Sequence, residues 1–131
     1  MALLHPVFGQ FVEDCRTIDL TPVDYKMADR LADVMSVVYP GKPLKTAVVA
    51  LLEDYGIHLL TDTKINDSYL VDGHMCASGQ YYVIVEIKNE TGSSNSEAFC
   101  QAVSYYLEAT RRTALTYFGS VLPCFLLVLY G

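Results

Sequence analysis

Residues 80–88, with the sequence QYYVIVEIK, decide the fold. The middle of this stretch is aromatic and β-branched, a composition that is typical of a buried strand. Glu86 and Lys88 interrupt it two residues apart, although charge is costly to bury. Side chains alternate along a strand, so both charges are predicted to share one face with Ile84. Something must offset the cost of burial, which makes the end of this strand the first candidate for a functional site.

Two more strands are predicted before this one, over about 57–64 and 68–76, with turn sequences at 66–67 and 77–79 that join the three strands into an antiparallel meander. The second of these strands carries Asp72, directly before Gly73. Pairing in a hairpin would bring Asp72 and Glu86 close enough to share a hard cation. We therefore expect the two carboxylates to meet at one edge of the sheet.

Helices are predicted over about 22–38, 43–55 and 97–113, and a last buried strand over about 121–130. Thr21 can cap the first helix and Pro22 can occupy its first turn, whereas the residues before them show little periodicity. Gly56 is predicted to end the second helix, and Asn95 or Ser96 to cap the third.

The order of elements is helix, three strands, helix and strand, with an extra helix in front. A helical crossover from the third strand to the fourth is what parallel pairing needs, so the sheet is predicted to be mixed. The 131 residues suit one α/β domain. Within it, residues 1–42 form an N-terminal extension and helix, and residues 43–131 form the core.

The helix over about 97–113 is predicted to have a polar face and a core face. The polar stripe consists of Glu97, Gln101, Tyr105, Glu108 and Arg112, and the core face of Phe99, Val103 and Tyr106. Arg112 is a candidate for phosphate contact. Its alternative explanation is a favourable interaction with the helix dipole, which attracts basic residues to the last turn.

Composition narrows the class of protein. The net charge of -6 argues against a protein that binds nucleic acid over its whole surface, because phosphate binding relies on Lys and Arg. The four cysteines form no CxxC pair and do not cluster with histidine at zinc-site spacings, so reduced thiols are expected. The N-terminus does not resemble a secretory signal, and the apolar run over 121–130 is about half the length of a membrane span. We expect an intracellular protein, nuclear or cytoplasmic, that is neither secreted nor embedded in a membrane.

The combination of Asp72, Glu86 and Lys88 suits the hydrolysis of phosphodiester bonds. Mg²⁺ prefers oxygen ligands, and the backbone carbonyl of Ile87 could join the two carboxylates. A bound ion lowers the pKa of a water ligand and stabilises the negative charge on the phosphate during hydrolysis. Lys88 would orient or deprotonate that water and help to neutralise the phosphate.

This pattern resembles the PD-(D/E)xK nuclease superfamily, whose fold is restriction-endonuclease-like. The match consists of Asp72, thirteen further residues and then Glu86-Ile87-Lys88, within a core of about 43–130. Val71 stands where the family name has its proline. The resemblance implies Mg²⁺ or Mn²⁺ as the cofactor, held by Asp72, Glu86 and the Ile87 carbonyl.

Residues on two helices extend the resemblance. Gln101 and Tyr105 lie one turn apart and are similar to the QxxxY motif of some members, which implies that Gln101 supports catalysis and Tyr105 contacts substrate. Glu53 is the candidate for the acidic residue that the family often has on its opening helix, and so for a further metal ligand. Arg112 is the candidate for a second substrate contact.

The resemblance implies a metal-dependent nuclease that acts on nucleic acid, with DNA favoured over RNA. It is compatible with a homodimer and with a place in a longer multidomain chain. The segment VEIKNETG, the polar loop after it and PCFLLVLYG also look like nuclease-like domains found beside kinase-like domains in mushroom-forming fungi. The alternative is a catalytically inactive binding or assembly module of a larger protein, since fold does not fix function. The three charged residues favour the enzyme, and the net acidity favours the module.

Overall fold

The computed structural model describes residues 6–37, 43–65, 69–88, 97–116 and 122–130. The elements in these ranges, in chain order, are α1 (Pro6–Thr17), α2 (Pro22–Ser36), α3 (Pro43–Asp54), β1 (Thr63–Ile65), β2 (Tyr69–Val71), β3 (Gly73–Ala77), β4 (Gln80–Lys88), α4 (Ala98–Thr116) and β5 (Phe125–Tyr130).

The strand β4 lies at the centre of a three-stranded sheet of order β3-β4-β5. It pairs antiparallel with β3 and parallel with β5, which follows after the crossover through α4. Ser78 and Gly79 connect β3 to β4 with φ angles of 51° and 76°, as the favoured two-residue hairpin turn requires. The predictions of an α/β protein, a mixed sheet and a strand over 80–88 are therefore confirmed.

The predicted strand over about 68–76 is wrong as a single element, because it is divided at Asp72. Its first part, β2, pairs with β1 in a separate two-stranded sheet, whereas its second part, β3, pairs with β4. The Asp72 carboxylate accepts a hydrogen bond from the backbone N–H of Ile87, so a side chain takes over where the β3–β4 ladder stops at Gly73. The break therefore falls at Asp72, the residue that the sequence predicts to be a metal ligand.

The strand predicted over about 57–64 is also largely wrong. Only β1 is a regular strand in this region, and Leu60 forms an isolated antiparallel bridge with His74. Gly56, with φ +77°, ends α3 as predicted. The predicted turn at 66–67 lies outside the described residues.

Helix α1 is an element that the sequence analysis missed. Phe8 is the one side chain of this helix that is buried among those described, so α1 has no long apolar stripe to detect. The rings of Phe8 and Phe11 each lie 4.6 Å from the ring of Phe125 at the start of β5. The helix is therefore stabilised by contact with a strand from the other end of the chain.

Helical layers cover both faces of the sheet. The first core cluster lies between α3 and β4 and consists of Leu44, Val48, Leu52, Val85 and Ile87, with partly buried side chains of α2 packed against it. The second lies on the α4 side and consists of Ile65, Val71, Ile84 and Tyr105. Alternate residues of β4 thus serve opposite clusters, as the strand pattern predicted.

The orientation of α4 differs from the prediction. Phe99, expected in the core, is 58% exposed, whereas Tyr105, expected on the polar stripe, is only 5% exposed. Ala98 and Ala102 are buried as well. The buried face of α4 therefore includes Tyr105 and two alanines, a combination that the search for large apolar residues does not predict.

The helix caps are partly as predicted. Thr21 caps α2 in a reciprocal capping box with Asp24. The two residues predicted to cap α4 lie outside the described part of the chain. The carboxylate of Glu97 instead accepts the backbone N–H groups of Phe99 and Cys100 at 2.8 and 3.2 Å. That side chain therefore satisfies donors in the first turn of α4.

The last strand begins at Phe125 rather than near residue 121, and it is less buried than predicted. Leu127 and Tyr130 are 41% and 37% exposed, because β5 is an outer strand of the sheet. Among the helices of the described ranges, none combines the length and the apolar character needed to cross a bilayer.

Candidate metal and catalytic site

The Asp72 carboxylate lies at the junction of β2 and β3, with about a quarter of its side chain exposed. Its Oδ2 atom accepts the backbone N–H of Ile87 at 3.0 Å. Its Oδ1 atom lies 3.6 Å from the Nζ atom of Lys45 on α3. One oxygen is thus used to fix the carboxylate to β4, and the other faces a cation.

The Glu86 carboxylate is almost completely buried, at 1% exposure. Its Oε2 atom lies 3.7 Å from the Nζ atom of Lys88, so the two charges share one end of β4 as predicted. Its Oε1 atom has no hydrogen-bond partner among the described residues. A buried acceptor left without a partner costs free energy, and a cation bound at this oxygen would remove that cost.

The pKa of Glu86 is raised to about 7, first by burial and then by the neighbouring negative charge of Asp72. Lys88 and a hydrogen bond from the Asp72 backbone act in the opposite direction on the same pKa. The two carboxylates are therefore close enough to repel each other. Such a pair favours a positive charge between them.

The backbone of Ile87 contributes to the same place. In an antiparallel pair a residue donates and accepts on the same side of its strand. Because the Ile87 N–H points to Asp72, its carbonyl lies on the Asp72 side of β4 as well. This geometry suits the role predicted for that carbonyl.

Tyr105 of α4 lies near Glu86 and is hydrogen-bonded to Gln101. Gln101 donates a hydrogen bond from Nε2 to the Tyr105 hydroxyl at 2.7 Å. Burial raises the pKa of Tyr105, and the negative charges of Glu86 and Asp72 raise it further. The structure therefore brings Tyr105 near the carboxylate pair with Gln101 bonded to its hydroxyl, although the burial of Tyr105 leaves little of it to meet a substrate.

His74 is a second buried group with an unpartnered atom. It is 2% exposed, and its Nδ1 has no hydrogen-bond partner within the described ranges. Burial lowers its pKa, which favours the neutral ring. His74 pairs in register with Ile84 and its ring lies 4.9 Å from that of Tyr81, so we regard it as part of the core on the Glu86 face of the sheet.

Of the other two predicted site residues, Glu53 is not brought to this place, and the position of the Arg112 side chain stays a prediction. Glu53 is exposed on α3, and its Oε1 lies 2.7 Å from Nδ1 of His58. It lines a surface groove of about 380 Å³ rather than contacting Asp72 or Glu86. Arg112 belongs to α4, but its side chain is outside what the structure describes.

Lys45 is a site residue that the sequence analysis missed. Besides its contact with Asp72, its Nζ lies 2.9 Å from Oδ1 of Asp62. A lysine in a helix is usually a solvated surface residue, so its type and position carried no signal. Only the fold shows that it joins carboxylates from two different segments.

The residues present fit a divalent cation of the Mg²⁺ class. Within the described ranges, no group of three or more His, Cys, Asp or Glu could hold a metal. Mg²⁺, however, is commonly bound by one or two carboxylates together with waters and substrate phosphate. Asp72 and Glu86 provide such a pair, and the unpartnered Oε1 of Glu86 is the atom that most needs a cation.

Comparison of the chain with protein-family models, with curated proteins and with solved structures found no match.

Proposed function

We propose that the protein hydrolyses phosphodiester bonds in nucleic acid, with DNA favoured over RNA, at a divalent-cation site formed by Asp72 and Glu86. The observation that carries the proposal is the pairing of these carboxylates at the end of β4. Asp72 is anchored to the backbone N–H of Ile87, next to Glu86, and Glu86 is buried with an oxygen that has no hydrogen-bond partner in the part of the chain that the structure describes. Charge in a protein core is retained at a cost, and a metal-dependent reaction gives a reason for it.

The proposed roles follow from position. Asp72, Glu86 and the Ile87 carbonyl would hold Mg²⁺ or Mn²⁺, which, when bound, supplies an acidified water and stabilises negative charge on phosphate. Lys88 lies beside Glu86 with 20% of its side chain exposed, so its ammonium is available to orient that water and to neutralise the phosphate. Gln101 would orient the Tyr105 hydroxyl, to which it donates a hydrogen bond.

The order of elements supports a restriction-endonuclease-like core of the PD-(D/E)xK kind. The helix α3 precedes antiparallel strands, and α4 then crosses over to a strand parallel to β4. The candidate residues fall on the strand junction, on the central strand and on the crossover helix.

A non-catalytic binding module is the second candidate, and two observations favour it. The net charge is -6, and Lys45 already places a positive charge near Asp72. Such a module could belong to a longer chain or form a homodimer. Exposed free thiols at Cys15, Cys76 and Cys100 support an intracellular location, nuclear or cytoplasmic, for either function.

The test is a cleavage assay with the full chain on labelled single-stranded, duplex and branched DNA and on RNA. We expect cleavage with Mg²⁺ or Mn²⁺, and none with EDTA or with Ca²⁺, whose looser coordination positions water less well. Glu86→Gln is the matched control, and equal cleavage by this variant would identify a contaminating nuclease. Absence of cleavage on every substrate, with Mn²⁺ binding that depends on Asp72, would favour the module.

A further inference from the structure

Lys45 stands between two carboxylates of the candidate site. Its Nζ lies 2.9 Å from Asp62 and 3.6 Å from Asp72. The Lys45 side chain is 18% exposed, and that of Asp62 is 63% exposed. The Lys45 ammonium therefore has two carboxylate partners: Asp62, which is exposed to solvent, and Asp72, which is a proposed metal ligand.

The Asp72 oxygen that faces Lys45 is the one that a metal would need. Oδ2 already accepts the Ile87 N–H, so Oδ1 is the oxygen better placed to take a cation. Lys45 approaches this same Oδ1 atom. An ammonium and a divalent ion cannot both lie close to it without strong mutual repulsion.

We propose that Lys45 is a tethered counter-ion, which neutralises Asp72 in the metal-free protein and withdraws to Asp62 when a divalent cation binds. This inference rests on the proposed function, because it assumes that Asp72 is a metal ligand. It makes Lys45 a positioning residue, which acts on the metal through Asp72.

The charges around the site agree with such an exchange. Three carboxylates, Asp62, Asp72 and Glu86, face two ammonium groups, Lys45 and Lys88. With all five groups ionised, the cluster has one net negative charge. A divalent cation makes it positive by one, and a phosphodiester then brings it to neutrality. The cluster therefore attracts a metal first and an anionic substrate afterwards.

The structure gives Lys45 room for this movement. Lys45 and Asp62 both line the groove of about 380 Å³ described above, together with Thr46 and Thr61. Asp62 has φ +53°, a conformation in which aspartate is tolerated better than most residues. Lys45 already donates a hydrogen bond to Asp62 at 2.9 Å, so withdrawal requires only that its ammonium move away from Asp72.

The experiment is a calorimetric titration of the full chain with Mn²⁺. The variants are Lys45→Met, Asp62→Asn and the double variant, with Lys64→Met as the matched control because Lys64 is an exposed lysine on β1. Lys45→Met should bind Mn²⁺ roughly tenfold more tightly, because the competing charge is gone. Asp62→Asn should bind it several-fold more weakly, since Lys45 then stays at Asp72. Lys64→Met should change the affinity little.

The double variant distinguishes competition from a general field effect. If Lys45 is the competitor, Asp62→Asn has little effect once Lys45 is methionine. If Asp62 acts only through its own charge, the substitution weakens binding equally in both backgrounds, which would overturn the proposal. Melting temperature in EDTA is a second readout, and it should fall for Lys45→Met, which leaves the carboxylates without their counter-ion.

The remaining outcomes separate this proposal from the proposed function. Unchanged affinity in folded Lys45→Met, beside clear Mn²⁺ binding by the parent, would refute the counter-ion and leave the metal site intact. Absence of Mn²⁺ binding in both parent and Lys45→Met would refute the metal site itself. Binding only in Lys45→Met would support the competition directly. If Lys45→Met fails to fold, Lys45→Gln provides the same test.

Discussion

The Asp72 side chain accepts a hydrogen bond from Ile87 that a backbone carbonyl of the neighbouring strand would accept in a regular sheet. Its Oδ2 atom accepts the Ile87 N–H at 3.0 Å, where the carbonyl of Val71 would lie if the β3–β4 ladder continued past Gly73. Val71 instead pairs with Thr63 of β1. The carboxylate is thereby fixed beside Glu86, and this hydrogen bond joins the fold to the proposed chemistry.

Two substitutions at Asp72 should separate its contribution to stability, through the Ile87 hydrogen bond, from its contribution to metal binding. Asp72→Asn keeps an oxygen that can accept the Ile87 N–H, whereas Asp72→Ala leaves that donor without its partner. We expect Asp72→Ala to lose about 1–2 kcal/mol more of the free energy of unfolding than Asp72→Asn. Both should lose tight metal binding and cleavage. Urea denaturation and Mn²⁺ calorimetry measure the two effects, and parent-like metal binding by Asp72→Ala would refute its role as a ligand.

Lys88 is expected to behave differently from the metal ligands. Its ammonium lies 3.7 Å from Glu86, so Lys88→Met removes a positive charge beside the metal and leaves the carboxylates in place. Cleavage should be abolished while Mn²⁺ affinity is kept or increased, because Coulomb repulsion with the ion is removed. Calorimetry beside a cleavage assay shows both results. Full cleavage by Lys88→Met would mean that Lys88 has no part in the reaction.

The raised pKa of Glu86 predicts a pH dependence of stability in the metal-free protein. Between pH 4.5, the ordinary value, and about 7, the folded protein retains a proton that the unfolded chain has lost. The free energy of unfolding should therefore fall as the pH rises through this window, by about 3 kcal/mol for this group. The contribution is complete below pH 4.5 and absent above about 7.

Glu86→Gln is the control for this prediction, because glutamine fills the same space and does not titrate. Urea denaturation in EDTA at about pH 5 and about pH 8 should show a smaller pH dependence for the variant than for the parent. The same pH dependence in both proteins would show that Glu86 titrates normally.

Gln101 is predicted to act through the Tyr105 hydroxyl, to which it donates at 2.7 Å. Gln101→Ala should reduce cleavage while far-UV circular dichroism and the urea midpoint stay close to those of the parent, because the side chain is only partly buried. Tyr105→Phe should reproduce the loss if the hydroxyl transmits the effect. Unchanged cleavage by Gln101→Ala would remove this residue from the site.

The elements that could be predicted from the sequence are those whose residue pattern lies within one short segment. β4 could be located because its apolar residues and the Ser78-Gly79 turn lie within one short segment. The division of the strand at Asp72 depends on a bond to Ile87, fifteen residues away, and the position of α1 depends on Phe125. Neither contact leaves a periodic signal in its own segment, so neither could be found without the fold.

The same distinction holds for the candidate site. Asp72 and Glu86 could be singled out because charges are unusual in apolar strands, and register then implies that they are neighbours. Lys45 could not be singled out, because lysine is common on exposed helix surfaces and its carboxylate partners come from other segments of the chain. The sequence predicts Tyr105 on the polar face because it falls in one stripe with Glu97 and Gln101, but in the fold it belongs to the buried cluster that contains Ile84 of β4.

The stacking of α1 on the last strand has a consequence for the association of the protein with itself. An outer strand with unpaired backbone groups is a template for aggregation unless another element covers it. The rings of Phe8 and Phe11 pack against the ring of Phe125 at the start of β5. Phe8→Ser should therefore loosen this cover and give edge-to-edge oligomers, visible as concentration-dependent light scattering. A Phe8→Ser protein that stays monodisperse at high concentration would mean that α1 packs against β5 without guarding it.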